Sequence, residues 1–276
     1  MNRPSLTLAP ATAGDAPLRV VQITDSHLFG EPERALLGVP TAASFAAVVE
    51  QVRSDEGCPD LILVTGDISQ DDSRESYRAF AQTMTSFACP VACFAGNHDD
   101  RDGMALCLEP LRHWRIRQLL APGWQLLLLE SQVEGHTYGR VSADELEFVR
   151  AAVASQPQRR TMLFLHHPPL PVGCNWLDQH RLRNGEELLA VAAQLGVVAI
   201  VSGHVHQDFR ASVGGVEVLT TPSTCIQFLP RSVQFKLDSA SPGYRTFELW
   251  PDGRWQTQVK RLADHRFSPQ FDSAGY

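Results

Sequence analysis

Short runs rich in Val, Ile, Leu and Phe recur along the 276-residue chain, separated by stretches whose apolar residues return every three or four positions. The runs LRVVQIT (18–24), DLILVTG (60–66), PVACFAG (90–96), WQLLLLE (124–130), TMLFLHH (161–167), GVVAIVSG (196–203) and VEVLTTP (216–222) predict strands. TAASFAAVVEQVRS (41–54), SRESYRAFAQTMTSF (73–87), ADELEFVRAAVAS (143–155) and GEELLAVAAQLG (185–196) predict helices, with Thr41 and Ser73 placed to cap the first two. Strands alternating with helices predict an α/β architecture with substantial parallel pairing. After about residue 205 helical periodicity fades, and apolar runs broken by Pro and Gly predict additional strands and a C-terminal extension over 205–276. Residues 1–17 read as a flexible N-terminus. With no internal repeat, low-complexity tract or linker, a single domain over 1–276 is expected.

Composition narrows the class. Hydrophobic residues at 43% and charged residues at 20% exclude wholesale disorder. No signal-peptide stretch opens the chain and no apolar run reaches membrane-span length, so a cytoplasmic protein without a membrane partner is expected. Cys58, Cys89, Cys93, Cys107, Cys174 and Cys225 show no CxxC pairing and read as reduced, mostly buried thiols. A net charge of −7 argues against a long nucleic-acid partner, and the one dense basic cluster, Arg112, Arg115 and Arg117, reads as solvated surface.

Five of the predicted strands end in metal-competent side chains: Asp25-Ser26-His27, Asp67, Asn97-His98-Asp99, His166-His167, and His204-Val205-His206. In open α/β sheets ligands bind beyond the carboxyl ends of the strands, where such loops converge. In extended backbone, residues i and i+2 point the same way, so Asp25 and His27 can share one ion and His204 and His206 can both face the crevice. Gly66, Gly96 and Gly203 precede three of the sets, where a tight turn or close backbone approach is useful. Each signal alone reads more simply as a turn, a cap or a core histidine. Their joint occurrence, each directly after an apolar run, does not.

In this order DSH, GDIS, GNHD, HHPP and GHVH resemble the signature of the calcineurin-like metallophosphoesterases. Longer stretches (QITDSHLFG with LLGV, GCNWLDQHRLRN, TPSTCIQF, PGYRTFEL) are similar to the bacterial class III 3′,5′-cyclic AMP phosphodiesterases, and the likeness runs from about residue 18. The resemblance implies a four-layer αββα sandwich of two mixed β-sheets flanked by helices. It also implies a dinuclear centre with Asp25, His27 and His206 on one ion, Asn97, His166 and His204 on the other, and Asp67 bridging. Two divalent ions bring four positive charges and the two carboxylates remove two, which leaves a balance suited to one hydroxide and one phosphodiester monoanion. An all-N/O donor set suits Fe, Mn, Zn or Co, and the resemblance favours Fe2+ or Mn2+ over Zn2+ or Co2+.

The expected reaction is in-line hydrolysis of cyclic AMP to 5′-AMP by a metal-bound hydroxide, lowering cellular cyclic AMP. His27, Asp67, Asn97, His98 and His206 would surround the substrate. His98 would stabilise the transition state or protonate the leaving oxygen, with an orienting role as its alternative. Asp99 is expected to hold a ligand histidine in its tautomer. The segment 174–184, with Trp176, His180 and Arg183, reads equally as a substrate-contacting loop or as one packed over the sheet edge. Phe228 lines either the pocket or a subunit contact, and a monomer or homodimer is open. Rival readings are another phosphoesterase on the same site, acting on 2′,3′-cyclic nucleotides, glycerophosphodiesters or phosphomonoesters, and a non-catalytic scaffold.

Overall fold

A computed structural model describes residues 3–8 and 15–275. Its first half carries β1 (Ser5–Thr7), β2 (Leu18–Ile23), β3 (Ala35–Leu36), β4 (Val39–Pro40), α1 (Thr41–Glu56), β5 (Leu61–Val64), α2 (Arg74–Met84), β6 (Val91–Cys93) and α3 (Arg101–Cys107). There follow β7 (Gln118–Ala121), β8 (Trp124–Leu128), α4 (Ala143–Ser155), β9 (Arg160–Phe164), α5 (Asn175–Asp178), α6 (Gly185–Gln194) and β10 (Ala199–Ser202). The chain closes with β11 (Phe209–Val213), β12 (Val216–Thr220), β13 (Gly243–Leu249) and β14 (Trp255–Arg261).

Two sheets dominate, a seven-stranded one in the order β1-β7-β8-β9-β10-β12-β11 and a five-stranded one in the order β14-β13-β2-β5-β6. The pairs β2–β5–β6 and β8–β9–β10–β12 are parallel, as βα alternation requires, while β11, β13 and β14 pair antiparallel. The period of two along each strand sorts the side chains into layers. Val20, Leu61 and Leu63 face Leu126, Leu128, Met162 and Phe164 in a core between the sheets. Their neighbours Val21, Ile62 and Val64 point the other way, onto α1, α2 and α3. On the far side Leu127, Leu163 and Ile200 meet α4 and α6. The outcome is the expected αββα sandwich of mixed sheets.

Several expectations change. Residues 5–7, inside the segment read as flexible, form β1 and extend the larger sheet beside β7, while 1, 2 and 9–14 lie outside the described residues. Ser73 caps α2 as expected, its hydroxyl accepting from Ser76 N–H, but Thr41 caps nothing. Pro40 occupies the position before α1, and the Thr41 hydroxyl is buried without a partner. Arg117 is not solvated: it bonds the Leu128 carbonyl, Glu130 and Glu145. Four of the six free cysteines are buried, whereas Cys58 is exposed. Among the described residues no helix is long and apolar enough to cross a membrane.

The inter-sheet layer holds the two halves of the site in register. Phe247 on β13 meets Phe164 on β9 edge to face, with centroids 5.8 Å apart. Phe247→Ala is expected to lower stability by about 3–5 kcal/mol in urea denaturation, and a loss below ~1 kcal/mol would contradict this packing.

Candidate metal centre

All the strand-end sets converge at the carboxyl ends of β2, β5, β6, β9 and β10, so both sheets contribute. The backbone there is not the extended chain assumed from sequence. Asp25, His27, Asp67, His204 and His206 all have φ between 47° and 69°, in the left-handed region. Such residues cost on the order of 1–3 kcal/mol each and persist where surrounding structure over-determines them. Here the determinants are visible: Asp25 N–H donates to the Gly66 carbonyl, His27 N–H to the Asp67 carbonyl, and Asp25 accepts from His204 N–H at 3.0 Å. The three glycines permit the approach. A Cβ on Gly96 would overlap Asp67 Oδ1, one on Gly203 would overlap Thr24 Oγ1, and one on Gly66 would sit 2.6 Å from His166 Nδ1.

Two groups of donor atoms result. In the first, His206 Nε2 lies 3.1 Å from His27 Nε2 and 3.4 Å from Asp25 Oδ1. In the second, His166 Nε2 lies 3.2 Å from Asn97 Oδ1, 3.2 Å from His204 Nδ1 and 3.1 Å from Asp67 Oδ2. Asp67 Oδ2 also stands 3.9 Å from His27 Nε2, between the two groups. Within each of the sets Asp25/His27/His206 and Asp25/Asp67/His166, one donor atom per residue lies within 4.8 Å of the others.

The outer nitrogens fix what the inner ones present. His166 Nδ1 is 2.8 Å from the Thr65 carbonyl, His206 Nδ1 is 2.9 Å from the Ile226 carbonyl, and His27 Nδ1 is 2.6 Å from Gln70 Oε1. An acceptor facing Nδ1 draws the ring proton to that nitrogen, so each Nε2 offers a lone pair inward. Lone pair then faces lone pair, or a carboxylate, at little more than 3 Å. Such an arrangement is repulsive unless a cation sits among the donors, and the residues therefore fit divalent metal ions.

The ionisation pattern agrees. Burial pulls His27 down to about 3, against the attraction of Asp67, so the ring is neutral at pH 7. His166 is pushed up to about 9, because the Asp67 carboxylate outweighs a large burial penalty. Burial opposes ionisation of Asp25 and Asp67, yet the facing histidines, His206 and His166 first among them, bring both below the usual carboxylate range. Without metal, a proton on His166 answers the demand for positive charge.

Asp99 does not orient a histidine. Its carboxylate accepts from the N–H groups of Gly96, Ile68 and Ser69 and from Tyr77 Oη–H, tying the Asp67 loop to the Asn97 loop. Burial and the Asp67 charge raise it to about 6. The segment 174–184 divides. Trp176 packs edge-on to Phe228, which itself stacks on His206 at 4.4 Å, so Phe228 backs the site from within. His180 bonds Thr137 and the Arg183 guanidinium lies over Tyr138, on a separate loop. Sequence reasoning missed Gln70, Thr65 and Ile226. Two act through backbone carbonyls, which no side-chain pattern announces.

The sequence profile of the calcineurin-like phosphoesterases matches residues 18–208, which hold every strand-end set described above. The chain belongs to the calcineurin-like phosphoesterase family. Its relatives include the 3′,5′-cyclic adenosine monophosphate phosphodiesterase CpdA of Escherichia coli K12, 45% identical over 96% of this chain and 97% of that protein. CpdA of Pseudomonas aeruginosa is 41% identical over 100% of both. Among solved structures, a dimetal phosphatase from Danio rerio shares the fold with a TM-score of 0.62 at 17% identity, covering 90% of this chain and 100% of that one.

Gly96→Ala tests the geometry directly. The added methyl displaces the Asp67 carboxylate, and the variant is expected to bind divalent metal at least ~10-fold more weakly by calorimetry while remaining folded. Wild-type affinity would contradict the described approach.

Proposed function

We propose that this protein hydrolyses 3′,5′-cyclic AMP to 5′-AMP at a dinuclear metal centre in the cytoplasm, and so lowers cyclic AMP. The observation that carries the centre is the inward convergence of the Nε2 atoms of His27, His166 and His206 with the carboxylates of Asp25 and Asp67. The substrate reading is supported by the near full-length likeness to CpdA phosphodiesterases, which extends well beyond the site. We assign Asp25, His27 and His206 to one ion, Asn97, His166 and His204 to the other, and Asp67 to both. Fe2+ or Mn2+ suits this nitrogen and oxygen set. Because both sheets supply ligands, we read the chain as one catalytic unit.

Two divalent ions held by these residues would supply positive charge to phosphoryl oxygens and acidify a water at neutral pH. The chain's own residues set the charge balance: with two carboxylates, Asp25 and Asp67, in the donor set, room is left for an anionic diester. His98 is the catalytic residue of this reading. Its backbone N–H donates to Asp67 Oδ1 at 2.9 Å, its ring meets that of His27 edge-on at 5.0 Å, and it is only partly buried, unlike the five other histidines at the site. An imidazole so placed reaches a bound phosphate and can deliver a proton to the 3′ leaving oxygen.

Two measurements test this. Incubation of the Mn2+-loaded protein with cyclic AMP is expected to give 5′-AMP by chromatography, and a chelator to abolish it; absence of cyclic AMP turnover would overturn the substrate reading. His98→Ala is expected to lower kcat about 10²–10⁴-fold with both ions bound. Unchanged turnover would remove His98 from the chemistry.

A further inference from the structure

His167 is wholly buried beside His166, and nothing assigned so far uses it. Its Nδ1 lies 2.8 Å from Ser131 Oγ, while its Nε2 is buried with no hydrogen-bond partner placed on it among the described residues. His204 mirrors it: Nδ1 faces His166 Nε2 at 3.2 Å, and Nε2 is buried and unpartnered. The two rings are neighbours, with centroids 4.7 Å apart and planes tilted by 49°. Gly139 lies directly against the His167 ring, since a Cβ there would overlap Nδ1.

A histidine that offers Nδ1 to a cation carries its proton on Nε2. For His204 that N–H points into the protein interior, and leaving it unmet costs about 1–3 kcal/mol. Histidine ligands ordinarily place this second N–H on a carboxylate, a carbonyl or a water. The other three histidine ligands named above use Thr65, Ile226 and Gln70, and His204 has no such partner among the described residues. If His167 donates its Nδ1 proton to Ser131 Oγ, its Nε2 becomes a buried acceptor beside the His204 ring. We infer that His167 is the positioning residue for His204: its Nε2 accepts the His204 Nε2–H, directly after a small ring rotation or through one bridging water, and so holds Nδ1 toward the ion. Ser131 and Gly139 in turn fix the His167 ring. In the rival arrangement the His167 ring keeps its proton for the Thr137 backbone, which already lies within bonding reach, and then His204 gains nothing from it.

This inference rests on the dinuclear reading, and Mn2+ binding separates the two. Metal-free wild-type protein titrated calorimetrically with Mn2+ is expected to show two sites. His167→Phe keeps the ring and removes the acceptor; it is expected to weaken one site by about 10–100-fold and leave the other unchanged. His167→Gln, which retains an acceptor, is expected to recover most of the loss, and Ser131→Ala to reproduce part of it. A metal-free melting temperature at or above wild type for His167→Phe shows that the fold is kept. Two wild-type sites in His167→Phe, or equal weakening of both, would overturn the role of His167. Fewer than two sites in the wild type would overturn the dinuclear reading itself.

Discussion

The constraint on which the structure depends is electrostatic. Lone pairs of buried imidazoles and carboxylates face one another at 3.1–3.4 Å, with the ring protons of His27, His166 and His206 drawn away by acceptors behind them. Desolvated donors at that spacing repel unless positive charge enters. A cluster of this kind is costly to build for any purpose other than holding cations, which is why it defines the protein's chemistry more sharply than its fold does.

The fold's task is to enforce that proximity. Parallel strands from both sheets end together, so short loops from β2, β5, β6, β9 and β10 meet over one small volume. Left-handed backbone at Asp25, His27, Asp67, His204 and His206 turns each side chain sharply inward at the strand end. Gly96 and Gly203 let one loop lie on the next, and Asp99 locks two of them through backbone N–H groups. The packed layers between and outside the sheets offset the strain that the site stores.

Much of this was legible in the sequence, because it depends on periodicity and on residue type. Every long apolar run became a strand near its expected bounds, and all the strand-end sets meet. What escaped was set by context. The strands expected beyond residue 205 are present, but the bounds of β13 and β14 did not stand out, because buried and partly exposed residues mix along them. β1 is three residues long and gains its order from pairing with β7 and from Leu6 and Leu8 packing on the inter-sheet core. The i and i+2 argument reached the right residues through the wrong backbone, since extended geometry was assumed where the chain turns left-handed. Asp99 was misread because a carboxylate next to histidines looks like their partner, when here it accepts from backbone amides and the Tyr77 hydroxyl. Carbonyls of Thr65 and Ile226 leave no trace in residue identity at all.

The central claim is that the two facing groups hold two ions with Asp67 between them. Anomalous diffraction from crystals grown with Mn2+ tests it most directly. The account predicts two peaks per chain, one enclosed by Asp25, His27 and His206, the other by Asn97, His166 and His204, both in contact with the Asp67 carboxylate. A single peak, or ions bound away from these residues, would contradict it.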